Sequence, residues 1–203
     1  MTTVTKGEVT AERILDAAFK SIATHGCGAV TLRGIAVEAG VVLSQLNYYY
    51  GNKDSLFAAV MKRMQENYIR VLDERLGECA SLEDQIVSLV EYNESILIEN
   101  PDTYRNFLEF FNFSMNSSEF QKLVAAFTSN ISEMIERRIA RYEPEAKVPG
   151  EFSAAAVTRF ILSASFGIAL QHFLDAQNQD VRAGFSIIKT MAKTLARDDL
   201  ATS

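Results

Sequence analysis

Between Thr31 and Lys53 the chain carries hydrogen-bonding and aromatic side chains in an order suited to gripping duplex DNA. Gln45 and Asn47 each bear an amide that can pair bidentately with adenine, and Ser44 offers a hydroxyl to either base type. Leu43 can meet a thymine methyl group. Tyr48 and Tyr49 can reach phosphate oxygens through their hydroxyls while their rings pack against sugars. Lys53 falls in the first turn of a helix, where an ammonium and unsatisfied backbone N–H groups together clamp a phosphate. Thr31 and Arg33, opening an earlier helix, can hold the other wall of the groove. Lys6, in a loose arm, would add a nonspecific contact. Three consecutive tyrosines cannot all face one way on a helix, so Tyr50 is assigned to the core.

Presenting these groups requires two short helices joined by a tight turn. Thr31 is the expected N-cap of the first, which turns Leu32, Ile35 and Ala36 inward and stops near Gly40. Val41 and Leu46 then plug the space beneath a recognition helix of about 43–49. Ahead of this pair, Leu15, Ala18, Phe19 and Ile22 form a stripe on a helix of roughly 10–24, capped by Thr10 and ended by Gly26. A fourth helix starts after Asn52 and keeps one face apolar for over four turns. Ser81 with Asp84 resembles a capping box, Asn100-Pro101-Asp102 breaks one helix and begins another, and Ser117 or Ser118 opens the next. That helix turns Leu123, Phe127, Ile131, Met134 and Ile135 inward. A loop at 142–150 and two last helices, about 152–176 and 181–197, complete an all-α chain of about nine helices. The expected division is 1–52, a three-helix head, and 53–203, a larger helical body.

Composition narrows the function. With 48% apolar residues the chain can bury a substantial core. Cys27 and Cys79 have no metal-ligand spacing and read as free thiols. The start has no apolar signal core and no uninterrupted apolar run approaches a membrane span, so a soluble, cytoplasmic protein is expected. Net charge is −6, yet residues 1–64 hold Lys6, Arg13, Lys20, Arg33, Lys53, Lys62 and Arg63 against Glu8, Glu12, Asp16, Glu38 and Asp54, so the head is mildly basic. So weak an excess should bind DNA poorly from one head, and two paired heads are expected. Two histidines, no phosphate-binding glycine loop and no clustered metal ligands argue against an enzyme and against any cofactor or metal. A helical adaptor that uses the same unit against protein is the other alternative.

The segment 10–64 resembles the DNA-binding domain of the tetracycline-repressor (TetR) family of bacterial transcription regulators. The matching residues are Ile14-Leu-Asp-Ala-Ala-Phe19, Gly26, Thr31-Leu-Arg33, Ile35-Ala36, Ala39-Gly-Val41, Leu46-Asn-Tyr-Tyr-Tyr50 and Lys53-Asp-Ser-Leu56. Val42 stands where the family often has Ser or Thr, so Ser44 would have to cap a helix that starts slightly later. Tyr50 stands where it usually has Phe, and Tyr49 where it often has His. The resemblance implies a dimer on palindromic operator DNA, repression as the default with activation less common, and release by a small effector bound in the body.

In the body, Tyr92, Phe107, Phe110, Phe111, Phe113, Met115, Phe127 and Met134 can line a cavity for an apolar or aromatic molecule, or fill an ordinary core. Asn93, Glu109, Asn112 and Asn116 are polar anchor candidates. In the family the last two helices pair with those of a second subunit. Here Ser163 and Gly167 would permit close approach, and Phe160, Phe173, Ile188 and Met191 would supply apolar contact. His172 reads as a satisfied core or interface histidine.

Overall fold

A capping box starts the first helix. The computed structural model describes residues 5–141 and 153–197. In it the Thr5 hydroxyl accepts the Glu8 N–H at 3.2 Å and the Glu8 carboxylate accepts the Thr5 N–H at 2.7 Å. Helix α1 therefore runs Lys6–Ala29, starting earlier than its apolar stripe alone predicts. Thr10 is not the cap; its hydroxyl donates to the Lys6 carbonyl from inside the helix. Lys6 belongs to the first turn rather than to a loose arm. Gly26 does not end α1 but kinks it, with φ 77° and ψ 156°.

The remaining elements are α2 (Leu32–Glu38), α3 (Leu43–Tyr50), α4 (Lys53–Gly77), α5 (Leu82–Glu99), α6 (Asp102–Ser114), α7 (Ser118–Ile139), α8 (Ala154–Leu174) and α9 (Gln179–Arg197). The fold is all-α, with nine helices among the described residues, as the periodicity predicts. Ser81 accepts the Asp84 N–H at 3.1 Å to open α5, and the Ser117 hydroxyl accepts the Phe120 N–H at 3.3 Å to open α7. The expected loop at 142–150 lies outside the described residues.

Packing sorts the chain into two compact units. The first joins Met1–Glu66 with Asp102–Phe127, and the second joins Asn67–Pro101 with Thr128–Ser203. Phe57, Phe110, Phe113 and Phe120 form the aromatic centre of the first unit, with ring centroids 5.0–5.9 Å apart across four contacts. Ile14, Ile22, Ile35, Leu46 and Leu56 are fully buried beside α1–α4. Helix α6 is pinned to α1 by polar bonds as well: Asn106 donates to the Phe19 carbonyl at 3.0 Å, and Glu109 accepts the Cys27 N–H at 2.9 Å. That N–H has lost its helical partner through the Gly26 kink, so a carboxylate from another helix replaces it. Burial, with the Glu109 charge next, pushes the Cys27 thiol up to about 12. Both cysteines are free thiols.

In the second unit, Asn93 donates to the Tyr68 hydroxyl at 3.1 Å and to the Leu89 carbonyl at 2.9 Å. Asp73 pairs with Arg138 at 2.6 Å and Glu94 with Lys189 at 2.8 Å. The Arg138 hydrogen bond holds the Asp73 carboxyl below the usual carboxylate range. Helices α8 and α9 approach closely at Gly184, where an added β-carbon would fall 2.9 Å from Ile168 Cδ1. Helix α8 is long and apolar enough to cross a membrane, the one such helix among the described residues. Thr158, Arg159 and Gln171 interrupt its apolar run, and α5 and α9 pack against it.

One inward assignment is corrected, and two further side chains are placed. Leu123 is exposed, because the buried face of α7 runs instead through Phe120, Val124, Phe127, Ile131 and Ile135. Phe160 of α8 is 54% exposed, whereas Ile161 beside it is buried. His172 Nδ1 is buried without a hydrogen-bond partner, so that histidine is not fully satisfied within the subunit.

The kink supplies a matched pair of tests. A β-carbon at Gly26 would lie 2.8 Å from the Glu109 carboxylate in a backbone region closed to other residues. Gly26→Ala should therefore destabilise the protein by about 1–3 kcal/mol. Nothing lies within 4 Å of a β-carbon at Gly28, so Gly28→Ala should be neutral or slightly stabilising. Urea midpoints of the two variants check the contrast.

Candidate nucleic-acid interface

The turn between α2 and α3 is built by backbone bonds. Gly40 N–H donates to the Val37 carbonyl at 3.0 Å and Val41 N–H to the Ala36 carbonyl at 2.9 Å. This crossed pair is the Schellman arrangement, which requires the left-handed φ of 63° that Gly40 adopts. Thr31 caps the other end of α2, accepting the Gly34 N–H at 3.1 Å as expected. Helix α3 then begins at Leu43 with Val42 as its N-cap and no side-chain cap bond. Ser44 thus lies inside the first turn and is not a substitute cap. Removing such a cap costs about 1 kcal/mol in typical helices, so α3 depends on packing.

Helical spacing divides α3 cleanly. Leu46 is fully buried, and Leu43, Tyr49 and Tyr50 on the same side are half-buried. Ser44, Gln45, Asn47 and Tyr48 point the other way, all exposed, with Tyr48 at 84%. The Tyr48 and Tyr49 rings meet edge to face at 5.3 Å. The Tyr49 hydroxyl lies near Gly7 at the start of α1, 3.3 Å from where a β-carbon there would sit. Thr31 and Arg33 are exposed at the start of α2. At the start of α4, Asn52 accepts the Ser55 N–H at 2.8 Å. The Lys53 ammonium sits 5.4 Å from the Phe57 ring centre, held close to that helix end. The exposed set is brought together on one face; Leu43 is placed on the other half of its helix.

Groups outside the set assigned to DNA contact hold this face. Arg13 of α1 donates from Nη2 to the Ala39 carbonyl at 2.5 Å and the Gly40 carbonyl at 3.4 Å. Tyr50 turns inward, as expected, and its hydroxyl donates to the Ala11 carbonyl at 3.0 Å. Burial, then the Glu12 charge, pushes that phenol up to about 12. Ser21 also donates to the Glu38 carboxylate at 2.6 Å, joining α1 to α2.

The body candidates fall into both units. Phe110 is fully buried in the aromatic centre of the first. Phe107 and Phe127 stack 5.3 Å apart in that unit, while Phe111 and Met115 are exposed, Met115 at 65%. Tyr92 and Met134 are buried in the second unit. Tyr92 lies between the Tyr68 ring, at 5.0 Å, and the Arg75 guanidinium, at 5.2 Å. Of the polar anchor candidates, Asn93 and Glu109 are bonded within the fold, and Asn112 and Asn116 are exposed. Among the interface candidates Ser163 and Met191 are exposed like Phe160, Gly167 and Phe173 are half-buried, and Ile188 is buried within the subunit.

A short helix with a polar outer face, set by a glycine turn on a second helix, defines a helix-turn-helix DNA-binding protein. Residues 14–60 match the model of the bacterial regulatory proteins of the tetR family. The chain is 23% identical over 180 residues to the HTH-type transcriptional regulator BetI of Brucella canis, covering 87% of this chain and 86% of that one. It matches BetI of Agrobacterium fabrum at 23% over 131 residues, 64% of each chain. Its fold is similar to Salmonella enterica GusR, with a TM-score of 0.78 and 17% identity over 97% of this chain and 100% of that one. It is also similar to FadR of Bacillus subtilis, solved with stearoyl-CoA, at 0.77 and 16% over 92% and 97%. The head therefore matches a tetR-family DNA-binding domain, and the chain is similar over most of its length to helix-turn-helix transcriptional regulators.

The placement of Lys53 makes a sharp expectation. Lys53→Ala should weaken binding to every duplex alike and lower the slope of log affinity against log salt by about one per subunit. Titrations of operator and random duplex over a salt series check it.

Proposed function

We propose that this regulator is a homodimeric repressor that reads a palindromic operator and is released by a small apolar or aromatic effector in the cytoplasm. Residues 1–52 read DNA, and 53–203 bind the effector and pair the subunits. The carrying observation is the outward face of α3, where Ser44, Gln45, Asn47 and Tyr48 are exposed together above a fully buried Leu46. Gln45 and Asn47 read base edges, Tyr48, Tyr49 and Lys53 grip phosphates, and Thr31 with Arg33 holds the opposite groove wall.

Pairing is supported by the apolar surface of the last two helices. Phe160, Leu170, Leu174, Ile187 and Met191 are exposed there, a surface that a second copy would remove from water. The aromatic and sulfur groups of α6 and α7 support the effector reading, and the scarcity of Lys and Arg between 82 and 121, where Arg105 is the only one, disfavours a strongly anionic ligand. FadR of Bacillus subtilis, bound to stearoyl-CoA, gives a precedent in this fold for a ligand with a long apolar acyl chain, although its coenzyme A part is anionic. A ligand that prefers the non-binding form 100-fold contributes about 2.7 kcal/mol to release.

Selection of bound sites from random duplex DNA should yield an inverted repeat, and a single asymmetric site would remove the dimer reading. Gln45→Ala should then narrow the gap between that repeat and random DNA, with little change in nonspecific affinity. Small molecules that raise the melting temperature should also weaken operator binding; a stabilising ligand with no effect on it would remove the release mechanism.

A further inference from the structure

The polar bonds that flank α3 converge on one turn of α1. The Schellman turn uses the carbonyls of Ala36 and Val37, leaving those of Ala39 and Gly40 at the exposed end of α2, where the helix dipole makes them electronegative. Arg13 Nη2 takes both, at 2.5 and 3.4 Å. At the other end of α3, Tyr50 reaches back to the Ala11 carbonyl, two residues from Arg13 on the same helix. The eight residues of α3 are therefore held at entry and exit by neighbouring positions of α1.

We infer that Arg13 and Tyr50 are positioning residues for sequence reading, setting the angle at which α3 meets the bases, and that Arg13 acts on the turn carbonyls rather than on phosphate. This rests on the DNA-reading role of α3 but adds two residues that touch no base in it. The close fit at Gly40 supports the assignment: a β-carbon there would lie 2.7 Å from Arg13 Nη2. The guanidinium thus occupies the space that the glycine leaves open. Charge-assisted bonds of this kind are stronger than neutral ones, and an arginine fork can address two carbonyls at once, which the point charge of lysine does less well.

The test uses the full-length protein with Arg13→Ala, Arg13→Lys and Tyr50→Phe, a selected operator, and a random duplex of equal length. Arg13→Ala should lose about tenfold on the operator, within the range set by one misaligned base contact, with random-duplex affinity and the salt slope nearly unchanged. Arg13→Lys should not restore the loss, and Tyr50→Phe should give a smaller loss of the same kind. Without DNA, hydrogen exchange at the amides of residues 41–46 should quicken in Arg13→Ala and Tyr50→Phe while exchange in α5 stays as in the wild type. Equal weakening of both duplexes, a slope lowered by about one and rescue by lysine would instead make Arg13 a phosphate ligand. Unchanged discrimination in all three variants would show that α3 keeps its angle without these bonds. A wild-type protein that failed to distinguish the operator from random DNA would overturn the reading of α3 itself, which no outcome confined to the variants does.

Discussion

Helix α3 is too short to exist by itself. Isolated helices of fewer than about 12–15 residues are marginal in water, and this one has eight residues and no side-chain N-cap. Its one fully buried side chain is Leu46. The recognition surface is therefore borrowed stability: the burial of Leu46, the Gly40 turn and the bonds to α1 must all hold before Gln45 and Asn47 have defined positions. Ser44, Gln45, Asn47 and Tyr48 are exposed because the groups that anchor the helix, Leu46 foremost, are on its other side, where Leu43 also lies.

This division explains what was legible in the sequence. Apolar spacing and caps are local signals, so Thr31, Ser81, the Asn100-Pro101 break and the inward turn of Leu46 and Tyr50 could be read within a few residues of each position. Thr5 and Glu8 carry an equally local signal, a capping box, but the apolar stripe begins later and Thr10 drew the boundary inward. The assignments that failed were about which partner lies across a gap. Leu123 is apolar and in phase with its helix, yet Phe120 and Val124 take the buried face. For Phe110, where sequence leaves cavity wall and ordinary core both open, full burial inside the aromatic centre shows a core position.

The same reasoning accounts for the polar groups that sequence could not assign. Arg13 meets its carbonyls across 26 and 27 residues, and Glu109 meets the Cys27 amide across 82. No periodicity connects positions so distant. Gly26 gave the only hint, because a glycine inside an apolar helical pattern marks a place where the backbone must depart from the helix. What the departure leaves behind, an N–H without a helical acceptor, is where a carboxylate from α6 is found. Packing thus extends the head through α6 and the start of α7, although the groups proposed to contact DNA all precede Asp54.

Charge shows most clearly how counting residues differs from placing them. Of the seven basic side chains in residues 1–64, Arg13 is engaged with carbonyls, and Arg63 bonds Glu12 at 3.1 Å and Asp16 at 2.8 Å. Lys62 lies 3.7 Å from Glu66, an exposed pairing that salt screens easily and that holds its ammonium only weakly. Arg33 and Lys53 are then the cations best placed beside α3, at the starts of α2 and α4. Nonspecific affinity grows with the number of phosphates neutralised, so on the proposed reading so few cations would give each head little of it. On that reading, discrimination between sequences would come from the uncharged outer face of α3, whose contacts depend on angle far more than on charge. Such a head would, on the same reading, lose selectivity when α3 tilts, with little change in its hold on random DNA.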